Sequence, residues 1–240
     1  MNTLITICAR RGSKGIPGKN IKNIAGRPLI AYTIDIAKDM AGDLKAIVSL
    51  STDSSKILKV AEQYGLNSSY NRPYYLASDK AGKVDTIKDL LEYEEEKHGK
   101  RFDYILDLDV TSPLRTVTDI TDAFNLLRDN EGALTIFSVS DPDRNPYFNM
   151  VEKKENGYYD LVKKNSDGTV LSRQTAPKVY ALNASFYWYK REFFDLNLKS
   201  PITDKSLVFK MDHICFDLDY PIDFDFLEYL LVNNKLDFEL

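Results

Sequence analysis

Residues 4–20 read LITICARRGSKGIPGKN, and this stretch indicates how the chain begins to fold. The first five residues are apolar apart from one threonine, which is typical of a buried strand. The following loop, residues 9–20, contains three glycines and four cationic side chains. A helix is predicted to begin near Pro28. A strand, a glycine-rich loop and a helix together predict the first unit of an α/β fold.

The basic loop at residues 9–20 predicts an anionic ligand. Glycines let the backbone N–H groups approach a ligand, and Arg10, Lys14 and Lys19 add charged donors. No Asp or Glu precedes Asp35, although the chain has a net charge of -4. Phosphate is therefore the first hypothesis, and a solvated basic turn is the alternative. The loop has neither the Walker pattern nor the glycine spacing of a dinucleotide-binding fold.

The first half of the chain alternates strand-like and helix-like segments. Strands are predicted at 46–50, 104–109 and 133–139, and helices at 28–40, 54–64, 83–97 and after an N-cap at Thr118. This alternation predicts an α/β fold with a Rossmann-like, mostly parallel sheet and helices on both faces. Ligands of such sheets bind beyond the carboxyl ends of the strands. The loops at 9–20, 51–54, 109–115 and 140–147 are expected to share that rim.

The pattern changes between residues 145 and 179. Short strands are predicted at 145–152 and 158–162, and Asn165-Ser166-Asp167-Gly168 is typical of a turn. We interpret this region as a β-rich insertion in a single domain, residues 1–240. Further strands are predicted at 184–189, 207–211 and 215–218, before a closing helix at 222–232.

Composition excludes several classes of protein. A net charge of -4 argues against a nucleic-acid partner, and no apolar run approaches the roughly 20 residues of a membrane span. The start of the chain lacks the basic region of a signal peptide. Cys8 and Cys215 are expected to be reduced core residues, which suits the cytoplasm. Zinc spacing is absent from the sequence.

Five segments in order carry a resemblance to a known family. Residues 9–20 resemble the nucleotide loop of the acylneuraminate cytidylyltransferases, the CMP-sialic acid synthetase family. Four more matches follow, at 51–53, 72–79 (Arg72-Pro73 and Leu76-Ala77-Ser78-Asp79), 111–115 (Thr-Ser-Pro-Leu-Arg) and 216–219 (Phe-Asp-Leu-Asp). The resemblance implies a nucleotidyltransferase fold, CTP as substrate, Mg²⁺ as cofactor, and a homodimer in which the insertion reaches the second subunit.

The resemblance also implies roles for particular residues. Arg10 and Lys19 would act on the triphosphate, and Asp217 and Asp219 would hold the metal; these four are the predicted catalytic residues. The predicted nucleotide-binding residues are Ala9, Arg10, Gly12, Ser13, Lys14, Lys19, Asn20, Arg72 and Ser78. The predicted sugar-binding residues are Asp109, Arg173 and Asn183.

Residue chemistry alone leaves several of these roles open. The i, i+2 spacing of Asp217 and Asp219 would put both carboxylates on one face of a strand, and a solvated edge strand would show the same pattern. Arg115 is as compatible with a structural role, bonding loop carbonyls, as with substrate contact. His213 is expected to be structural or exposed, and His98 to be solvated. Neither histidine belongs to a recognisable motif for covalent catalysis.

Two departures from the family concern the acceptor sugar. The sialic acid enzymes commonly carry Gln and Arg where this chain has Asp109 and Ala181. Asp107-Leu108-Asp109, together with residues 144–149 (RNPYFN), looks like the branch acting on legionaminic-type nonulosonic acids. The predicted reaction is therefore CTP-dependent activation of such an acid, with pyrophosphate released. N-acetylneuraminate and 3-deoxy-manno-octulosonate are the alternative acceptors, and a non-catalytic nucleotide-binding module is the alternative function.

Overall fold

The computed structural model describes residues 1–12, 15–166 and 168–240. In chain order the strands are β1 Thr3–Cys8, β2 Asn23–Ile24, β3 Arg27–Pro28, β4 Ile47–Ser51, β5 Tyr104–Leu108, β6 Thr135–Ser140, β7 Val151–Lys153, β8 Tyr159–Leu161, β9 Ala181–Lys190 and β10 Ser206–Lys210. The α-helices are α1 Leu29–Leu44, α2 Ser55–Gln63, α3 Lys83–His98, α4 Val117–Asp129, α5 Arg191–Asp195 and α6 Pro221–Val232. The predicted order of strands and helices in the first half is confirmed.

Six strands form the central sheet, in the order β10-β6-β9-β5-β1-β4. The pairs β1–β4, β1–β5 and β10–β6 are parallel, whereas β9 runs antiparallel between β5 and β6. The mostly parallel sheet is thus confirmed. The carboxyl ends of its five parallel strands lie at one edge, because these strands share a direction.

Helices cover both faces of this sheet, as predicted. Buried side chains of α1, α2, α4 and α6 pack with β1 and β5 in the larger hydrophobic core, around Ile30, Phe124 and Trp188. Buried side chains of α3 and α5 form a second core on the opposite face, around Ile87 and Phe193. Strands covered on both faces are nearly continuously apolar, which is the pattern that residues 4–8 present.

Local chemistry sets several helix starts. Ser54 caps α2, where its hydroxyl accepts a hydrogen bond from the N–H of Ile57 at 3.4 Å. The predicted cap at Thr118 is wrong, because Thr116 caps α4 and Thr118 lies inside the helix. Thr116 Oγ1 accepts from the N–H of Asp119 at 3.1 Å, and the Asp119 carboxylate accepts from the N–H of Thr116 at 2.7 Å. This reciprocal pairing satisfies two donors at once, which a cap at Thr118 would not do.

The predicted strand at 215–218 is also wrong. The β6–β10 ladder ends at Lys210, and residues 212–220 then cross the carboxyl edge of the sheet. There the Leu218 N–H donates to the Thr111 carbonyl at 2.9 Å, and Ser112 Oγ donates to the Phe216 carbonyl at 3.2 Å. Because this segment runs over strand ends instead of beside a strand, it satisfies its backbone through loop contacts. We name residues 212–220 the crossing loop.

The insertion contains less strand than predicted. Among its described residues β7 and β8 pair, over three residues each, and residues 146–149 form a turn. The Asn145 side chain accepts from the N–H of Tyr147 at 2.9 Å, and its backbone carbonyl accepts from Phe148 and Asn149 at 3.0 Å. This asparagine-centred turn competes with an extended strand. The predicted turn at 165–168 includes Asp167, which lies outside the described residues.

In the part of the chain that the structure describes, none of the helices combines the length and apolar character that a membrane crossing needs. Cys8 and Cys215 are free thiols. Burial raises the pKa of Cys8 to about 12, so this thiol stays protonated at neutral pH.

Candidate active site

A cleft of about 460 Å³ lies beyond the carboxyl ends of β1 and β5. Its described lining is polar and charged, and includes Cys8, Arg10, Gly12, Gly15, Lys19, Asn20, Asp79, Asp109, Thr111 and Asp219. Six of the residues predicted from sequence therefore meet in one cavity. Its volume is within the usual range for a small-molecule site.

The basic loop begins at the buried end of β1. Ala9 is fully buried, and its N–H donates to the Ser51 carbonyl at 2.9 Å. Asn20 fixes the shape of the loop, because its side-chain amide donates to the Arg10 carbonyl at 3.0 Å. The Arg10 guanidinium pairs with Asp79 at 2.7 Å, and both side chains remain partly exposed. Ser13 and Lys14 lie outside the described residues.

The loop also meets the crossing loop. Lys19 Nζ donates to the Leu218 carbonyl at 2.5 Å and lies 3.6 Å from the Asp219 carboxylate. Gly15 lies so close to this segment that a Cβ built there would be 2.4 Å from the Asp219 carbonyl oxygen. Only glycine fits that approach without a backbone shift. The contact joins a basic segment near the start of the chain to an acidic segment near its end.

Asp217 and Asp219 are arranged differently from each other. Asp217 is half-buried and accepts a hydrogen bond from the Leu218 N–H at 2.8 Å, whereas the Asp219 side chain is 65% exposed. Burial raises the pKa of Asp217, and the charges of Asp109 and Asp219 raise it further, against Thr111 and Lys19. A cation bound here would relieve that repulsion, and carboxylate oxygens are suitable ligands for Mg²⁺.

Asp219 lines the cleft, whereas Asp217 is not among its described lining residues. Carboxylates in this number fit a magnesium ion that completes its shell with phosphate and water, because Mg²⁺ binds one or two protein carboxylates together with substrate phosphates. Among the described residues, no cluster of three or more histidine, cysteine or acidic side chains has the arrangement of a metal site.

Asp109 lies at the end of β5, fixed from three directions. Its Oδ1 accepts from the N–H and the hydroxyl of Thr111, both at 2.9 Å, and its Oδ2 accepts from Lys83 at 2.7 Å. Burial by itself would raise the pKa of Asp109, but the Lys83 ammonium and the Thr111 hydrogen bonds lower it to about 2. The Asp109 carboxylate is therefore charged, and a hydrogen-bond acceptor, at neutral pH.

Sequence reasoning missed Lys83 and Asp107, which complete this cluster. Lys83 is the first residue of α3, and its ammonium also lies 2.8 Å from fully buried Asp107. The signal that could have found them is an aspartate inside the apolar strand β5, since a buried charge requires a partner.

Arg72 and Ser78 line a smaller cavity of about 210 Å³ beside the cleft, together with Lys83 and Asp109. Arg72 is buried and donates to the hydroxyl and the carbonyl of Ser51, both at 2.8 Å. The Ser78 hydroxyl donates to the Tyr75 carbonyl at 2.9 Å.

Two predicted sugar-binding residues are not brought to the cleft. Arg173 is exposed and donates to the Asp143 carbonyl. Asn183 is buried in β9, where its side chain bonds Ser138 at 2.6 Å and Ser140 at 2.9 Å. In this single chain both side chains are engaged within their own neighbourhood, and neither is among the described residues that line the cleft.

The structure resolves the open alternative for Arg115. This side chain is fully buried, and its Nη1 donates to the carbonyls of Asp109, Ser112 and Ser185 at 2.7–2.8 Å. Its Nη2 donates to the Thr33 hydroxyl at 2.8 Å. Arg115 therefore ties the Thr-Ser-Pro loop to β9 and α1, which is a structural role.

Neither histidine lies in the cleft. His213 Nε2 lies 2.9 Å from Asp119, and its ring stacks on Phe238 at 3.8 Å between centroids, so its predicted structural role is confirmed. His98 lies at the end of α3, with Nε2 3.2 Å from buried Glu94. His98 is exposed, so its predicted solvated position is confirmed.

Comparison with known proteins agrees with this fold and site. The protein-family model described as Cytidylyltransferase matches residues 4–236. The chain belongs to this cytidylyltransferase family, whose members are nucleotidyltransferases.

Two relatives match almost the whole length. The "Post-translational flagellin modification protein B" of Campylobacter coli is 39% identical over 97% of this chain and 96% of its own. The "CMP-N,N'-diacetyllegionaminic acid synthase" of Campylobacter jejuni subsp. jejuni serotype O:2 is 38% identical with the same coverage. A solved CMP:2-keto-3-deoxy-manno-octonic acid synthetase complexed with CTP has the same fold, with a TM-score of 0.66 and 17% identity over 98% of this chain and 100% of its own.

Proposed function

We propose that this cytidylyltransferase transfers CMP from CTP to a nonulosonic acid of the legionaminic type and releases pyrophosphate. The observation that carries the proposal is the meeting of Lys19, from the basic loop, with Asp219 of the crossing loop at 3.6 Å, in a cleft at the carboxyl edge of the sheet. Such a cleft offers cations for phosphates and carboxylates for a cation within one cavity. The Campylobacter jejuni relative, which is named a CMP-N,N'-diacetyllegionaminic acid synthase and is matched over 96% of its length, supports the choice of acceptor.

The proposed reaction is a nucleophilic displacement at phosphorus. The anomeric hydroxyl oxygen of the sugar acid forms a bond to the α-phosphorus of CTP, the bond from that phosphorus to the bridging oxygen breaks, and pyrophosphate carries away the electron pair. Arg10 and Lys19 would stabilise negative charge that develops on the leaving group. The proton of the attacking hydroxyl passes to solvent or to the leaving phosphate.

Asp217 and Asp219 are the residues that would hold Mg²⁺. When bound, that ion would neutralise charge on the triphosphate and help to align it. The other proposed nucleotide-binding residues are Ala9, Gly12, Ser13, Lys14, Asn20, Arg72 and Ser78.

We propose that the Asp109 carboxylate accepts a hydrogen bond from the sugar acid. A carboxylate with a pKa of about 2 does not donate at neutral pH, whereas the Gln of the sialic acid enzymes donates and accepts. This difference favours acids that present an N–H or O–H donor at that point. Arg173 and Asn183 remain proposed sugar-binding residues, and both would require a change in their present contacts.

We also propose one domain over residues 1–240, with an insertion at about 145–179 that forms a two-fold dimer contact. The support is a set of large apolar side chains in and beside this insertion that are at least 40% exposed, namely Met150, Val151, Tyr158, Tyr159, Leu171 and Leu182. Apolar and aromatic patches of this kind mark interfaces. Light scattering at micromolar concentration tests the dimer, and a clean monomer would contradict it. A cytoplasmic location stays a prediction.

Pyrophosphate release with CTP, measured over a panel of sugar acids, tests the function. We expect turnover of a diacetylated legionaminic-type acid with a kcat/KM at least ~10-fold above that for N-acetylneuraminate, the scale of one mismatched hydrogen bond. A preference for N-acetylneuraminate or 3-deoxy-manno-octulosonate would contradict the proposed acceptor but would leave the proposed cytidylyltransferase activity in place. CTP binding without turnover of any acid would favour the non-catalytic module.

The roles of Asp217 and Asp219 are tested separately with the asparagine variants. Each should lower turnover by at least ~100-fold, because a metal-held phosphate contributes several kcal/mol in the transition state. Binding of Mn²⁺, followed by calorimetry with CTP present, should weaken in parallel. Asp225→Asn in α6 is the matched control, since Asp225 is exposed. Full activity in both variants would refute the assignment.

A further inference from the structure

Strand β5 ends in two carboxylates that share one cation. Asp107 and Asp109 are two residues apart, so they lie on the same face of the strand. Lys83 Nζ lies 2.8 Å from Asp107 Oδ2 and 2.7 Å from Asp109 Oδ2. Its side chain is 35% exposed, whereas the Asp107 side chain is fully buried. The three groups link α3 to the strand at the edge of the cleft.

Lys83 and Asp107 would each be unfavourable at its position without the other. Lys83 opens α3, where a cation opposes the helix dipole. Asp107 is a charge within a strand whose neighbours are apolar and buried, and it requires a partner there. The Tyr187 ring, 4.9 Å from Lys83 Nζ, encloses the ammonium further. The cluster is therefore a built ion network, and not a chance contact between mobile surface side chains.

The network determines what Asp109 can do in the cleft. Both acceptor positions of its Oδ1 are taken by Thr111, and Lys83 takes one position of Oδ2. A carboxylate offers about four acceptor positions in all, so one remains on Oδ2. Asp109 lines the cleft and the adjoining smaller cavity, and Lys83 lines the smaller one.

We infer that Lys83 is a positioning residue of the acceptor-sugar subsite, which acts by holding Asp109 in one orientation with a single acceptor position left for a substrate N–H or O–H. This inference rests on the proposed function, because it assigns Asp109 to the sugar acid. Lys83 lines the smaller cavity beside Arg72 and Ser78, whereas Lys19 and Asp219 line the cleft, and the polar contacts of Lys83 are with Asp107 and Asp109. Because Lys83 acts through Asp109, which is proposed to meet the sugar acid, its loss should affect the sugar acid more than CTP.

The test is the separate measurement of KM for each substrate in variants of Lys83. We expect Lys83→Met to raise the KM for the sugar acid at least ~10-fold and that for CTP less than ~2-fold, the scale of one misplaced hydrogen bond. Lys83→Arg keeps a cation near both carboxylates and should recover most of the loss. Lys88→Met on the same helix is the control, because the polar partners of the Lys88 ammonium among the described residues, Glu92 and Asn197, lie outside the cleft.

Lys83→Met leaves two carboxylates without their cation, which lowers the stability of the fold, so a charge-matched variant accompanies it. Lys83→Met combined with Asp107→Asn removes one charge of each sign and leaves Asp109 intact. An unchanged KM for the sugar acid in this folded variant would overturn the inference, and so would an equal rise in both KM values. Absence of turnover by the unmodified protein with every acid tested would overturn the proposed function itself, and the inference with it.

Discussion

Replacement of Arg115 by methionine is expected to destabilise the protein strongly. The guanidinium donates four hydrogen bonds of 2.7–2.8 Å to groups on three segments, with no exposed surface of its own. Burial lowers the pKa of Arg115 to about 10, so the group is still charged at pH 7. Methionine fills part of the volume and donates nothing.

The size of the loss follows from what each acceptor retains. The Asp109 carbonyl keeps the Thr33 hydroxyl at 3.2 Å, the Ser112 carbonyl keeps the Ser185 hydroxyl at 2.9 Å, and the Ser185 carbonyl keeps the Asp109 N–H at 3.1 Å. No carbonyl loses its last donor. The two N–H groups of Nη1 are shared among three carbonyls and Nη2 makes one further bond, so about three bonds are lost, at about 1.5 kcal/mol each, the lower end for a charged donor. The total of about 4–5 kcal/mol lowers Tm by about 8–20 °C in a chain of this size.

Thermal and urea unfolding followed by circular dichroism measure this loss. The Tm of Arg115→Lys should lie between that of the parent and that of Arg115→Met, since one ammonium reaches fewer of the acceptors. Arg128→Met is the surface control and should stay within about 0.5 kcal/mol of the parent. If Arg115→Met lowers Tm by less than about 3 °C and raises the KM for the sugar acid, the structural role is refuted and substrate contact becomes the better interpretation.

Two further predictions concern the crossing loop and His213. Gly15→Ala should lower Tm and raise the KM for CTP, because the added Cβ would lie 2.4 Å from the Asp219 carbonyl oxygen. Gly12→Ala should leave Tm unchanged, because a Cβ there would meet no described residue within 4 Å apart from its chain neighbours. Equal Tm values for the two variants would contradict the clash. Burial lowers the pKa of His213, but the hydrogen bonds to Asp119 and the Ile214 carbonyl, together with the charges of Asp119 and Asp237, outweigh this and raise the pKa above 6.5. The stabilisation is then complete below pH 6.5 and lost as pH rises through the folded pKa, so urea titrations from pH 6 to 9 should show falling stability that His213→Gln removes, and a flat parent profile would refute it.

Short-range patterns in the sequence determined most of the first half of the fold. The apolar run at residues 4–8, the helical spacing in 83–97 and the helical pattern at 54–64 each depend on neighbours within a few residues, and all three are confirmed. The rim of loops followed from the topology rule for parallel sheets, so the position of the basic loop was predictable. The family was predictable as well, because its five segments can be recognised by sequence comparison alone.

Long-range contacts decided the rest. The sequence of β9 is as apolar as that of a parallel strand, and only its pairing with β5 and β6 makes it antiparallel. The crossing loop has the alternation of a strand but finds no partner strand, because the chain has reached the ends of the sheet. Its neighbours, Gly15 and Lys19, come from the opposite end of the chain.

The same limit applies to the site. The sequence by itself indicated the chemistry available, cations near the start of the chain and carboxylates near its end. Only the tertiary structure decided that Lys83 neutralises Asp107 and Asp109, and that Arg115 serves the fold. The physical reason is that the energy of a charge depends on burial and on partners within a few ångströms. Lys83 lies 26 positions from Asp109, and Arg115 lies 70 and 82 positions from its partners Ser185 and Thr33.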